Sequence, residues 1–142
     1  MKIESIIILN FGLLTTDEEE KETSESSPSG YFLRPETIQF TETSDKIKGA
    51  KGVKFGIEYF IKGFTDEKDD VTFYSRISHP TMINPVTSEK LQYVKERKTN
   101  WLNESNFDYY NFEFDWELVT GKWTFEILEG DRTLLTKEFE VV

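Results

Sequence analysis

The sequence predicts an all-β fold, an antiparallel sandwich of roughly seven to eight strands in one domain spanning residues 1–142. Three observations predict it. Short runs of alternating apolar and polar residues recur along the chain, clusters of turn-forming residues separate them, and no stretch repeats with the long 3.6-residue period of an amphipathic helix.

The first run, Ile6-Ile7-Ile8-Leu9, follows Met1-Lys2 and superficially resembles an export signal. Glu4 interrupts its basic region, Asn10 breaks its apolar stretch, and no small-residue cleavage site follows, so a buried first strand is expected. Residues 15–30 change character, with Asp17-Glu18-Glu19-Glu20 and then Ser24 to Gly30. With no apolar side chain to bury, this segment cannot offset its ordering entropy and is expected to be a mobile acidic loop. Ile38 and Phe40 then share one side of a strand over 37–43, and Asp45 to Gly49 reads as a turn. Phe55, Ile57, Tyr59 and Ile61 give a central strand ended by Gly63. After the loop Asp66 to Asp70, Val71, Phe73, Ser75 and Ile77 form another, closed by His79-Pro80 because proline cannot donate to a ladder. Thr81 to Glu89 reads as an exposed excursion, Leu91, Tyr93 and Lys95 begin a further strand, and Phe112, Phe114, Trp116 and Leu118 form an alternating run. The clearest signal closes the chain. Trp123, Phe125 and Ile127 alternate with Thr124 and Glu126, Glu129-Gly130-Asp131 makes a turn, and Phe139 and Val141 resume the period.

Composition narrows the function classes. With 142 residues there is room for one sizeable core, and 12 Phe, 6 Tyr and 3 Trp give each core position a large apolar payload. A formal net charge of −10 argues against nucleic acid and anionic membrane surfaces, both of which need a basic footprint. The absence of cysteine removes disulfides and thiolate metal sites and fits a cytoplasmic protein.

Several motifs together carry a family resemblance: Phe11-Gly12-Leu13, Phe55-Gly56-Ile57-Glu58-Tyr59, His79-Pro80 with Asn84-Pro85, and the closing Trp116 to Ile127 run followed by Gly130-Asp131-Arg132. With these the chain resembles the bacterial domain of unknown function 3859 over nearly its whole length apart from the acidic loop. The resemblance implies an immunoglobulin-like antiparallel β-sandwich and supplies no catalytic residues. Family members often carry glycine after the Asn-Pro pair; here Ser88-Glu89 stands instead, so the resemblance does not define that loop.

Chemistry-bearing candidates are sparse. His79 is the single histidine, so a nucleophilic triad would have to combine it with Ser75 or Ser78, neither of which sits in a nucleophile elbow; a structural strand-end role is expected. Asp66, Glu67, Asp69 and Asp70 offer oxygens for calcium but lack the ordered spacing of a helix-loop-helix site. Glu113 and Glu126, read as lying on adjacent strands, are carboxylates for glycoside hydrolysis only if they share a cleft, and alternation turns them to solvent. Among the aromatics, Trp116 reads as core, whereas Trp101-Leu102 lies in a polar segment and forms either an exposed pair or a plug closing one end of the sandwich. The expected binding surface comprises Trp101, Leu102, Tyr109 and His79, with no cofactor and no metal. The sequence thus reads as a non-catalytic interaction or accessory module that binds a protein partner through a loop end or sheet edge. Its rivals are a carbohydrate-binding module and, further off, a hydrolytic or calcium-dependent enzyme.

Overall fold

The computed structural model describes residues 1–17, 19–23, 31–35 and 37–142, with side chains described outside 18–36. Eleven strands occur among the described residues: β1 Ile3–Thr16, β2 Glu19–Thr23, β3 Tyr31–Pro35, β4 Ile38–Glu42, β5 Lys46–Ile47, β6 Lys54–Gly63, β7 Asp70–Ile83, β8 Lys90–Trp101, β9 Glu104–Asn111, β10 Gly121–Glu129 and β11 Arg132–Val141. Nine of them build two sheets, one of four strands in the order β4-β1-β6-β9 and one of five in the order β5-β11-β10-β7-β8. β2 and β3 pair as a separate two-stranded ribbon. All ladders are antiparallel except the short β11–β5 contact, where Glu140 and Val141 lie beside Lys46 and Ile47 in parallel.

Alternation decides the core. Phe55, Ile57, Tyr59 and Ile61 of β6 are fully buried, facing Phe73 of β7, Trp123, Phe125 and Ile127 of β10 and Phe139 of β11 from the other sheet. The Phe55 ring lies 5.3–5.6 Å from those of Phe112, Trp123, Phe125 and Phe139, an edge-on and tilted cluster that fills the middle of the sandwich. The Trp123 indole N–H, which would be costly to bury unpaired, donates to the Val119 carbonyl at 3.0 Å. Gly130 turns the closing hairpin with φ +58°, a conformation that favours glycine. The chain start is fastened to the same hairpin: Lys2 and Ile3 N–H groups donate to the Glu129 carboxylate at 2.9 and 3.2 Å, and Arg132 donates to Ile3 O and Glu129 at 2.7 Å.

The immunoglobulin-like sandwich expected from sequence is the fold, but several elements differ. Nine strands enter the two sheets because two were not read from sequence, Lys46–Ile47, which pairs with β11, and β9, whereas the run Phe112 to Leu118 contributes none. The acidic segment is not one continuous loop: Thr15 and Thr16 belong to β1 and Glu19–Thr23 to β2, while residues 18 and 24–30 of the expected mobile stretch lie outside the described residues. β7 does not stop at Pro80. It shifts register between Ser78 and Met82, a bulge that absorbs the missing N–H, and continues to Ile83.

The run Phe112 to Leu118 is not a strand. β9 ends at Asn111 and a 3-10 turn forms at Asp115–Glu117. The cause is local: the buried Glu117 carboxylate accepts the N–H groups of Glu113 and Phe114 at 3.1 and 2.9 Å and the Tyr110 hydroxyl. These bonds hold the chain in a turn that side-chain alternation alone does not reveal. Trp116 is half-buried against the core margin, with the Phe114 ring stacked on it at 5.7 Å.

Candidate functional site

The four residues singled out from sequence do not form one surface. Trp101 ends β8 with half its surface exposed (50%), but Leu102, the next residue along, is buried in the core. Consecutive residues of an extended chain point to opposite faces, so this pair is both surface aromatic and plug, one role to each side chain. Tyr109 lies on β9 of the four-stranded sheet, half-buried, opposite Gly56. A side chain at Gly56 would collide with β9, since its Cβ would stand 2.1 Å from Asp108 O.

His79 is interior. Its ring packs 4.9 Å from Trp123, and Nδ1 donates to Pro80 O at 2.8 Å. That bond fixes the tautomer and leaves Nε2 a buried acceptor without a partner. Burial holds the His79 pKa below the ordinary histidine range, partly offset by the Pro80 carbonyl. A histidine held this way supports a strand bulge.

The carboxylate candidates are dispersed as well. β10 has β7 and β11 as neighbours, so Glu126 and Glu113 are not on adjacent strands, contrary to the sequence reading; Glu126 instead pairs with Arg76 at 3.0 Å. Asp69 and Asp70 meet Lys2 Nζ at 3.0 and 3.7 Å. The Lys2 ammonium beside it lowers the Asp69 pKa. Among the described residues no group of three or more His, Cys, Asp or Glu is placed to hold a metal ion.

Sequence reasoning missed Asn103, which sits at φ +60°, a region asparagine tolerates better than most residues. Its amide nitrogen donates to Thr65 O and Glu67 O at 2.9 Å, and its oxygen accepts Gly63 N–H at 3.1 Å. One side chain thereby ties the β8–β9 turn to the loop that follows β6. An Asn directly after Trp101-Leu102 in that polar segment was the one available signal, since asparagine favours turns.

Between the sheets on this side, the interior becomes polar. Lys98 of β8 forms an ion pair with Asp108 of β9, the two side chains being 14% and 5% exposed, and Lys98 Nζ also donates to Phe107 O at 2.9 Å. The Tyr59 hydroxyl reaches Asp108 Oδ2 at 3.3 Å. Burial, and then the Asp108 charge, push the Tyr59 pKa well above the ordinary tyrosine range, so this phenol stays protonated and serves as a donor.

Two strands flank that interior, and their free edges differ. On β8, Leu102 N–H donates to Asp69 O at 2.8 Å, which fixes the ladder phase: Asn100, Lys98, Glu96 and Val94 bond β7, while the N–H and C=O groups of Thr99, Arg97, Lys95 and Tyr93 point away from it. β8 is the last strand of its sheet, so these groups face outward from the edge. Their side chains lie on the outer face, with Trp101 at one end and Tyr93, 57% exposed, at the other. On β9, by contrast, the corresponding groups of Phe107 are occupied: its N–H by Asn106 Oδ1 at 2.8 Å, its carbonyl by Lys98. Trp101 N–H is capped in the same way by Asn100 Oδ1 at 2.8 Å, which ends the open stretch of β8. A shallow groove of about 400 Å³ runs beside β9, lined by Thr37, Glu58, Asn100, Ser105 and Asn106 with Phe107.

No helix among the described residues is long and apolar enough to cross a membrane. A family model described as Domain of unknown function (DUF3859) matches residues 2–141. An immunoglobulin-like protein from Pseudomonas aeruginosa, known from its crystal structure, is similar over 96% of each chain with a TM-score of 0.65 and 18% sequence identity, a likeness of fold. No curated protein matches the chain.

Proposed function

The chain belongs to the DUF3859 family, and from that premise we propose that it is a non-catalytic interaction module that engages a protein partner by strand addition at the edge of β8. The observation that carries this reading is the open stretch from Tyr93 to Thr99, where four residues present backbone donors and acceptors outward between two exposed aromatics. An extended segment laid there gains ladder hydrogen bonds from the backbone and selectivity from the alternate side chains. The groove beside β9, with its amide, hydroxyl and carboxylate groups, favours the second reading, a module for neutral carbohydrate. Tyr93 and Trp101 do not help that reading. Eight residues of strand separate them, about 26 Å, too far to act as one stacking platform for adjacent sugar rings.

Thr99→Pro separates the two. It deletes one outward N–H without breaking a backbone bond to β7 or changing the charge, losing only the exposed 3.2 Å contact between the Thr99 and Thr72 hydroxyls, at a position where an edge strand tolerates proline. Captured partners should be lost from Thr99→Pro at an unchanged melting temperature. Retention of every partner by Thr99→Pro and by Tyr93→Ala would place binding elsewhere.

A further inference from the structure

The edge of β8 has a chemistry of its own, at odds with the rest of the chain. The protein carries a net charge of −10, yet within Lys90–Trp101 there are Lys90, Lys95, Arg97 and Lys98 against Glu96 alone. The ladder phase sorts these charges. Glu96 and Lys98 point inward, and Lys98 is committed to Asp108 and Phe107. Lys95 and Arg97 point outward and are exposed. On the neighbouring strand Arg76, opposite Lys95, is neutralised by Glu126. Lys95 lies over the Tyr74 ring at 4.7 Å, which holds its ammonium near the sheet, and neither Lys95 nor Arg97 has a carboxylate partner among the described residues.

Resting on the β8-edge reading, we infer that the partner supplies an acidic extended segment, with two carboxylates spaced two residues apart opposite Lys95 and Arg97 and an apolar or aromatic side chain opposite Tyr93. Cations on a sheet edge normally keep other strands away, because pairing would desolvate them or set them against like charge. The same device becomes selective when the incoming strand brings the complementary charge, since only that strand neutralises what it covers. Period-two alternation sets the spacing, because cross-strand neighbours on one face recur every second residue. The acidity of the whole chain does not forbid this contact. Beyond a Debye length of about 8 Å at physiological salt the remaining charge is largely screened, and the partner meets the local cations.

The test is a titration of isotopically labelled full-length protein with three synthetic peptides at physiological salt, read from backbone amide shifts. The first peptide is Val-Ser-Thr-Ser-Glu-Ser-Glu-Ser-Tyr with blocked ends; the others carry Gln or Lys at both Glu positions. The Glu peptide should move the amides of Tyr93, Lys95, Arg97 and Thr99 and bind at least tenfold more tightly than the Gln peptide, with the Lys peptide weakest. In the double variant Lys95→Glu/Arg97→Glu the order should invert in favour of the Lys peptide. Equal binding of Glu and Gln peptides at β8 would overturn the acidic partner and leave the edge reading standing. Failure of the Glu peptide to move any β8 amide would also overturn it, and shifts confined to another strand would remove the edge reading with it.

Discussion

The two sides of the sandwich interior are built on different principles. Around β10 and β11 the space between the sheets is filled by Phe55, Phe112, Trp123, Phe125 and Phe139, all at most 2% exposed, and the Trp123 indole N–H there is satisfied locally by the Val119 carbonyl. Beside β8 and β9, next to the buried Val94 and Leu102, it also holds Lys98, Asp108 and Tyr59, whose charges and hydroxyl satisfy one another. Apolar packing stabilises in proportion to area and tolerates small adjustments, whereas a buried ion pair depends on both partners being in place. The first side holds the sheets together. The second spaces β8 from β9 and, through Lys98 on the Phe107 carbonyl, occupies an outward backbone group of β9 where the matching groups of β8 stay open.

If that contrast is right, the largest loss comes from the aromatic side. Trp123→Ala should destabilise the protein by about 3–5 kcal/mol in denaturant unfolding; an unchanged midpoint would show that the interior is not organised around this residue. On the polar side the asymmetry of paired charges gives a sharper signature. Asp108→Ala leaves Lys98 without its counter-charge and should cost about 3 kcal/mol, whereas the double variant Lys98→Met/Asp108→Leu should recover most of that loss. Additive losses from the two sites would mean that the pair is not acting as a unit.

Titration distinguishes the sides again. His79, packed on Trp123, has its pKa lowered mainly by burial, so its neutral form belongs to the folded state. Its contribution is present above the ordinary histidine range and is lost as pH falls through that range, because the unfolded chain takes up the proton first. Glu117 behaves oppositely. Burial raises its pKa, despite the bonds from Tyr110, Phe114 and Glu113, so its contribution is complete below the ordinary glutamate range and is lost as pH rises through the folded value. Unfolding free energies between pH 4 and pH 8 should therefore show a fall toward acid near the histidine range that is absent in His79→Phe, and a separate mid-acid slope of the other sign that is absent in Glu117→Gln. A His79→Phe curve with the wild-type slope would contradict the buried neutral imidazole. The smallest effect belongs to the loop after the Asn-Pro pair, where Ser88 sits at φ +61°. Ser88→Gly should add about 0.5 kcal/mol, the left-handed strain relieved less the extra freedom of glycine in the unfolded chain.

What was legible in the sequence follows the same division. β6, β10 and β11 are readable because one face is buried continuously and the period of two survives along their length. The Phe112 to Leu118 run misleads because a single carboxylate, Glu117, captures three donors and turns the chain, an effect of side-chain geometry that hydrophobic pattern does not encode. β7 passes Pro80 because a bulge spares the ladder at that residue. For the candidate site, Trp101 was recognisable as an aromatic in polar surroundings, but Leu102, Tyr109 and His79 belong elsewhere. Whether β8 is an edge at all depends on sheet order, and which of its backbone groups face outward depends on ladder phase. Both are properties of strand partners far away in the chain.

The most direct measurement of the central claim is amide hydrogen exchange along β8 in the full chain. Val94, Glu96, Lys98 and Asn100, bonded to β7, should exchange slowly, and Lys95, Arg97 and Thr99 between them should exchange quickly, giving an alternation of protected and open sites, with Phe107 on β9 protected by Asn106. Uniform slow exchange from Tyr93 through Asn100 would mean that the β8 edge is already covered, and would contradict an edge open to a partner strand.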